Sequence, residues 1–359
     1  MRLLFQILLA TTLAAQTPAP PGQPEAPKPE PAKQAAKRFF EVPQFDLYTR
    51  YRYIDNSPSG NVTADDLQYR LTWRFRANLH ATRTSLNSRV ESGSTYNSSW
   101  TDTGIGRNSG KWVLNPKTFY LSQKFGEHVA VDVGAMDIDL GASSEATYSD
   151  KDGYTEGYRL RLLNLKHAYA PTRVTMTFGY IGDFNTMNAF ARLHRMDTIN
   201  YFALMAEKTF NKRVTASTEF DRLEGINLFR AAAKLKLPDE WLVHDLQTDA
   251  VIRMNHNATA GWAIFLTRTK GTLGSFNPGI FYSHLPTGVY QKGTRQVIQN
   301  GDIYATGKRL GFTTKYQLTR ELDVSTFVAR RFDTDSGPRW RAQIVFRYQL
   351  GPWLNKLMP

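Results

Sequence analysis

The sequence predicts an all-β protein, a transmembrane antiparallel up-and-down β-barrel of about 16 strands. Three observations predict this fold. Apolar and polar residues alternate over many segments of about ten residues, short turns alternate with long polar connections, and the N-terminus has the pattern of an export signal. The mean hydropathy of -0.44 is too low for a bundle of membrane-spanning helices. A barrel exposes only every second residue to lipid, so its mean hydropathy resembles that of a soluble protein.

The first 38 residues are predicted to be an export signal followed by a linker. MRLLFQILLATTLAAQ has an early basic residue, an apolar run and small residues before a cleavage site near Ala14 or Ala15, which predicts a signal peptide over 1–15. Residues 16–38 contain seven prolines and favour an extended periplasmic linker. The alternatives are a buried helix for the first segment and a cell-wall-binding segment for the second.

The clearest strand is DLQYRLTWRFRANLHA, residues 66–81, which alternates apolar and polar residues almost without a break. A period of two gives a β-strand with one apolar and one polar face. The strand is longer than the usual 3–10 residues, and its polar face carries three arginines. The same alternation recurs in segments that begin near Phe45, Val129, Val174, Val214, Phe229, Leu246, Leu310 and Trp340.

The connections give the strand count. Seven short turns make seven hairpins, and one strand before and one after them bring the total to sixteen, with both termini on the short-turn side. Alternation is weakest between Asn255 and Gly307, so counts of fourteen or eighteen stay open. We expect the barrel over 39–350 and a C-terminal extension over 351–359. The regular alternation of long and short loops along the chain disfavours a soluble β-sandwich. The short turns lie near residues 81–84, 125–128, 170–173, 210–213, 237–241, 269–274 and 318–322.

The last strand carries a family resemblance. In PRWRAQIVFRYQL the apolar residues share one face, and the segment is similar to the closing strand of bacterial outer-membrane porins. Those families end on an aromatic residue, whereas GPWLNKLMP follows here. From about Phe39 to Leu350 the chain resembles general porins in architecture. More faintly, RLTWRFRANLHATRTSLNSRVESG and FYLSQKFGEHVAVDVGAMDIDLG resemble alginate-export proteins and other exported barrels.

The porin resemblance implies a function. It implies passive diffusion of small hydrophilic solutes across the outer membrane of a Gram-negative bacterium, with outer-membrane lipid and lipopolysaccharide as partners and a homotrimer as the expected assembly. The net charge of +13 favours anionic partners, and export disfavours nucleic acid. The alternatives are a substrate-specific polysaccharide or sugar channel and a non-conducting outer-membrane anchor.

Basic residues on the polar faces of the strands are predicted to line the pore. Arginines outnumber the inward acids Asp46, Asp66, Asp132, Asp245 and Asp249, so we expect a positive lumen that prefers anions. The alternative is that the arginines pair with those acids and only fill the interior. The predicted pore-lining residues are Arg50, Arg52, Arg70, Arg74, Arg76, Arg89, Arg159, Arg161, Arg341 and Arg347.

The third long connection, DLGASSEATYSDKDGYTEG over residues 139–157, is acidic. The resemblance to general porins implies that it folds inward as a constriction loop and faces basic wall residues. The alternatives are a solvated external loop and a Ca²⁺ site held by Asp150, Asp152 and Glu156, for which the DxDG fragment is only part of the required pattern. The candidate constriction residues are Asp139, Glu145, Asp150, Asp152 and Glu156.

The remaining residue types point away from other classes of protein. The chain has no cysteine, and its seven histidines form no HExxH or serine-hydrolase pattern, so we expect neither an enzyme nor a metal site nor a cofactor. Seventeen tyrosines and seven tryptophans favour aromatic belts at the membrane interfaces, with a sugar-stacking track as the alternative. The belt candidates are Tyr51, Tyr53, Tyr120, Trp241, Trp262 and Trp340.

Overall fold

The computed structural model describes residues 39–56, 61–79, 83–96, 98–104, 113–165, 170–255, 259–269, 274–290, 306–333 and 340–357. The predicted signal peptide over 1–15 and linker over 16–38 lie outside these residues and stay predictions. Within the described ranges, no helix has the length and apolar character needed to cross a lipid bilayer.

The described residues form sixteen strands and two short α-helices. The strands are β1 Phe40–Asn56, β2 Asn61–Leu79, β3 Thr84–Ser92, β4 Leu114–Phe125, β5 Val129–Asp137, β6 Tyr154–Leu162, β7 Arg173–Tyr180, β8 Tyr201–Thr209, β9 Val214–Leu223, β10 Ile226–Lys236, β11 Asp245–Arg253, β12 Ala260–Thr267, β13 Phe276–Leu285, β14 Gly307–Gln317, β15 Leu322–Arg331 and β16 Trp340–Gln349. The helices are α1 Ala189–Arg192 and α2 Gly351–Leu357.

The strands close into one antiparallel barrel in chain order, and β1 pairs with β16. Asp46 lies opposite Gln349 and Asp55 opposite Trp340, so the closing register runs over most of β16. Closure leaves no sheet edge with unpaired backbone groups, which is the condition for a sheet in a lipid environment. The prediction of sixteen strands is confirmed, and the counts of fourteen and eighteen are wrong.

The two strands that the sequence hardly reveals are β12 and β13. Both faces of each are apolar: on β12, Trp262 points to one face and Ala263 and Phe265 to the other. On β13, Ile280 is exposed whereas its neighbour Phe281 is buried. A pattern with apolar residues in both phases has no period of two, and for this reason the alternation fails between Asn255 and Gly307.

On most other strands the outer face is apolar and the inner face polar, but β8 carries the buried Tyr201, Ala203 and Met205 on its inner face. On β2, Leu67 and Leu79 are exposed, while Gln68 and Thr72 on the opposite face are buried. On β10, Phe229 is exposed and Arg230 is buried. The buried face carries most of the arginines. The alternation in the sequence therefore corresponds to the outside and inside of the barrel.

The aromatic residues divide between the two faces. Tyr51, Trp262 and Trp340 are exposed on the outer face, as expected for a belt. Tyr120 lies opposite Asn87, whose side chain bonds the inward Arg76, so it shares the inner face and its assignment to the belt is wrong.

The C-terminal extension folds back against the start of the barrel. After β16, the Leu350 N–H donates to the carbonyl of Phe45 at 2.7 Å, and α2 follows directly. The Leu354 N–H donates to the Leu350 carbonyl at 3.0 Å, which closes the first helical turn. The residues after the last strand therefore lie at the short-turn end of the barrel.

Candidate functional site: the barrel interior and its inward loop

The connection between β5 and β6 folds into the barrel. We name residues 138–153 the inward loop, because β5 ends at Asp137 and β6 begins at Tyr154. The acidic segment predicted over 139–157 thus extends beyond the loop: Glu156 lies on β6, where it is fully buried.

One end of the inward loop is held by β2 and β3. The guanidinium of Arg89 donates to the carbonyls of Lys151 and Asp152 at 3.0 and 3.1 Å. Arg70 on β2 forms an ion pair with the Asp152 carboxylate at 3.2 Å. These contacts fix the part of the loop that leads into β6.

The other part of the loop contacts β9, β10 and β11. The Arg230 guanidinium on β10 donates to the carbonyl of Thr147 at 2.7 Å. The Asp249 carboxylate on β11 accepts the Ser144 N–H at 2.8 Å, and the Ser217 hydroxyl on β9 accepts the Ala142 N–H at 3.0 Å. Strands β3 and β11 are eight positions apart in a closed barrel of sixteen, so they lie on opposite walls. The inward loop therefore spans the interior.

Tyr148 in the loop meets a buried charge cluster on β9 and β10. Its hydroxyl donates to Glu219, and its ring lies under the Arg230 guanidinium, 4.1 Å from the centroid. Arg230 also pairs with Glu219 at 3.1 Å and Asp221 at 2.6 Å. Burial, together with the neighbouring Glu219 charge, raises the pKa of the Tyr148 phenol well above its usual range. Tyr148 is therefore neutral and acts as a hydrogen-bond donor.

The acids predicted for the constriction contact cations directly. Asp139 pairs with Arg173 at 2.9 Å, and Glu145 pairs with Lys151 at 2.9 Å. The Asp152 partner is Arg70, as described above. Asp139 and Asp152 thus form ion pairs with arginines of the wall, and Glu145 pairs with a lysine of the loop itself.

Asp150 is the remaining loop acid. Burial, and then the charges of Asp152 and Glu145, raise the pKa of Asp150 well above the ordinary value for an aspartic acid. The calcium alternative joined Asp150, Asp152 and Glu156, but Asp152 is directed at Arg70 and Glu156 at Arg192. Among the described residues, no group of three or more His, Asp or Glu side chains is placed to hold a metal ion.

Several predicted pore-lining arginines on the strands pair with inward carboxylates. Arg74 and Arg89 share Asp137, at 2.7 and 3.2 Å. The other pairs are Arg52 with Asp66 at 3.3 Å, Arg70 with Glu91 at 2.9 Å, Arg161 with Asp132 at 2.6 Å, and Arg347 with Asp323 at 3.0 Å. Arg70 and Arg74 on β2 are thus each paired with a nearby carboxylate.

The other predicted arginines bond to neutral groups or lie near the barrel mouth. Arg50 is buried, bonds Gln68 and stacks on Trp100 at 4.1 Å from its centroid. Arg76 is half exposed. It donates to Asn87 at 2.9 Å and lies 3.9 Å from Glu41. The remaining two are buried: Arg159 donates to Thr177 at 3.2 Å, and Arg341 donates to Gln343 at 3.1 Å.

Sequence reasoning missed most of the acids that neutralise these arginines. Glu91 stands two residues after Arg89, and Asp221 two residues after Glu219, so each lies on the inner face by parity. Asp323 is also on the polar phase of its strand, whereas Asp137, at the end of β5, falls on the phase of Val131 and Val133 and could not be assigned to the inner face in this way. The parity of the other acids was readable in the sequence, but the pairing across strands depends on the register.

Sequence reasoning also missed a buried ion pair at the start of β6. Arg192 at the end of α1 is buried, and its Nε lies 3.5 Å from the Glu156 carboxylate. Its guanidinium lies 4.9 Å from the Tyr96 ring centroid and 4.8 Å from that of Tyr154. The connection between β7 and β8 is therefore anchored on the start of β6 and on the connection between β3 and β4.

A cavity of about 630 Å³ lies between the inward loop and the short-turn end of the barrel. Ser144, Glu145 and Lys151 of the loop form one side of it, and the strands β9 to β12 and β15 form the other. Among its described lining residues, the carboxylates are Glu145 and Asp245 and the cations are Lys151, Lys212, Arg213, Lys234 and Lys236. The described lining of this cavity thus carries an excess of positive charge.

Comparisons with known proteins relate this architecture to solved structures. No protein-family model matches the sequence, and no curated protein matches it. The barrel is similar to a mutant of the Rh. blastica porin, with a TM-score of 0.52 and 10% identity over 86% of this chain and 99% of that one. It is also similar to Salmonella typhi OmpF in complex with daunomycin, with a TM-score of 0.58 and 10% identity over 86% and 97% of the chains.

A third similar structure is an anion-selective porin from Comamonas acidovorans, with a TM-score of 0.50 and 12% identity over 86% of this chain and 99% of that one. At these identities the similarity concerns the fold. Together with the closed sixteen-stranded barrel, it defines the class: the chain has the fold of the general bacterial porins, as its last strand predicted.

Proposed function

We propose that the protein is an outer-membrane porin through which small hydrophilic solutes diffuse passively. The observation that carries this proposal is the inward loop, which spans the interior from β3 to β11 and leaves a cavity of about 630 Å³ beside it. Barrels of this strand number enclose an aqueous channel, and a loop across the channel narrows it to the size of a small solute. The exposed apolar outer face supports a position in the outer membrane.

The pore is proposed to prefer anions. Around the inward loop, Arg70, Arg74 and Arg89 are matched by Glu91, Asp137 and Asp152, so the narrow region carries little net charge. The cavity beyond it has five cations against two carboxylates among its described lining residues. An excess of one sign in a confined aqueous space concentrates ions of the opposite sign. The selectivity therefore depends on the cavity lysines more than on the arginines of β2.

Planar-bilayer recording tests both parts of the proposal. The folded protein is expected to give discrete conductance steps in KCl. In a KCl gradient, the reversal potential is expected to have the sign that a chloride-selective pore produces. Replacement of Lys234 and Lys236 by glutamine should shift that potential toward cations, while Lys308→Gln, exposed on the outer face of β14, should not. Folded protein without conductance would support the non-conducting anchor instead, and a native pore selective for potassium would refute the anion preference.

The environment and assembly of the barrel belong to the same proposal. The outer apolar belt suits outer-membrane lipid and lipopolysaccharide, and the porin fold suits a homotrimer. Cross-linking of the detergent-solubilised protein should give a trimeric band. A monomeric band alone would refute the proposed trimer but not the proposed channel.

A further inference from the structure

Three phenylalanine rings form a stack on the wall formed by β12 to β15. Phe265 and Phe281 lie opposite each other in register, with ring centroids 5.5 Å apart and planes inclined by 25°. Phe281 and Phe327 have centroids 5.5 Å apart and planes inclined by 24°. These separations are in the range of favourable offset stacking. The three rings therefore form one aromatic cluster, in which Phe281 and Phe327 are buried and Phe265 is partly exposed.

The strand register places this stack on the inside of the barrel. Gln247 points inward, because its amide donates to the Ala142 carbonyl of the inward loop at 3.0 Å. Phe265 lies opposite Gln247, and Phe281 lies opposite Phe265. Residues directly opposite in an antiparallel pair share a face. Gly311, opposite Phe281, leaves the room that the Phe281 ring fills, since a Cβ there would clash with the ring.

The stack borders the basic cavity. Phe265 and Phe327 both line it, together with Lys234 and Lys151. Lys234 lies opposite Gln247, so it is two strands from Phe265, or about 10 Å at about 4.8 Å per strand. The flexible four-carbon side chain of a lysine reaches across much of this separation. A flat apolar surface and a cation thus lie at the two sides of one cavity.

We propose that this cavity binds aromatic carboxylates, with the ring against Phe265 and Phe327 and the carboxylate toward Lys234. An aliphatic acid gains only the charge interaction, and a neutral aromatic only the stacking. A neutral sugar gains no charge interaction with Lys234. The inference rests on the proposed channel function and deepens it, because the solute enters the cavity through the pore.

Current block in planar bilayers tests the proposal. Benzoate is expected to reduce the single-channel current at concentrations where acetate, benzyl alcohol and glucose have little effect. Phe265→Leu should weaken the benzoate block roughly threefold to tenfold, the range that a stacked aromatic pair contributes. Lys234→Gln should weaken it as well and reduce its salt dependence. Phe312→Leu, on the exposed outer face of β14, is the matched control and should leave the block unchanged.

A second measurement does not depend on conduction. Saturation-transfer NMR on benzoate with the folded protein in detergent should show transfer to the ring protons, and Phe265→Leu should reduce it. A normal KCl conductance with equal block by benzoate and acetate overturns the inference and leaves the channel intact. Protein without conductance that still binds benzoate through Phe265 overturns the channel and leaves the site. Equal NMR transfer in the native protein and Phe265→Leu also overturns the site.

Discussion

Arg89 on β3 donates a hydrogen bond to the backbone carbonyl of Asp152, 3.1 Å away, and this contact holds the end of the inward loop against the wall. A second bond, to the carbonyl of Lys151 at 3.0 Å, comes from the same guanidinium. Because the acceptors are backbone carbonyls, the fork geometry of arginine matters more here than its charge.

Arg89→Met is expected to loosen the inward loop and to make the open-channel current noisier. The free energy of unfolding should fall by about 1.5–3 kcal/mol, the range for hydrogen bonds to a charged group. A larger loss is not expected, since Asp137 and Glu91 keep Arg74 and Arg70 as partners. Single-channel recording and urea titration measure the two effects. Arg222→Met, exposed on β9, is the control, and a quiet Arg89→Met channel would contradict the anchoring role.

The buried pair of Arg192 and Glu156 should cost more to break. Arg192→Met leaves the fully buried Glu156 without the cation that it contacts among the described residues. Breaking a buried pair by removal of one partner costs about 3–5 kcal/mol. The double variant with Glu156→Gln should recover a large part of this loss, because the unpaired charge is gone. Urea unfolding measures the single and double variants. If the loss of stability in the double variant equals the sum of the losses in the single variants, the two residues do not interact.

The outer face gives a prediction about lipid contact. Leu71 lies near the middle of β2 and opposite Leu47, which is exposed on the outer face. Leu71→Arg is expected to destabilise the barrel in lipid by about 2–4 kcal/mol, the cost of an arginine at the bilayer midplane. Arg74→Gln, on the inner face and partly exposed, should have a small effect. Equilibrium unfolding in liposomes compares the two variants. Equal losses in the free energy of unfolding would contradict this assignment of the outer and inner faces.

The fold was predictable because most strands have one apolar and one polar face. β12 and β13 were exceptions: their inner face carries Phe265 and Phe281, so the period of two is lost. The resemblance implied that the acidic loop folds inward, and the loop lies inside the barrel. The ion-pair partners were not predictable. Arg74 on β2 and Asp137 on β5 are separated by two strands, and only the register of β2 to β5 brings them together.

The last prediction concerns Asp150, whose raised pKa makes the inward loop sensitive to pH. Burial and the nearby charges of Asp152 and Glu145 disfavour the Asp150 carboxylate, so the folded protein retains its proton to a higher pH than the unfolded chain. Between the ordinary pKa of an aspartic acid, about 3.9, and the raised value, the unfolded state binds fewer protons than the folded state. Stability conferred by the protonated form is therefore present at low pH and declines as the pH rises through this window.

The same titration should appear in the selectivity of the pore. As the pH rises through the raised pKa, the inward loop gains one negative charge close to the cavity, and the preference for anions should weaken. Reversal potentials in a KCl gradient, measured as a function of pH, are expected to shift toward cations in the native protein. Asp150→Asn removes the titrating group and leaves a side chain of similar size, so its reversal potential should lose this step and keep the low-pH value. If the reversal potentials of the native protein and of Asp150→Asn change with pH in the same way, Asp150 does not control the change.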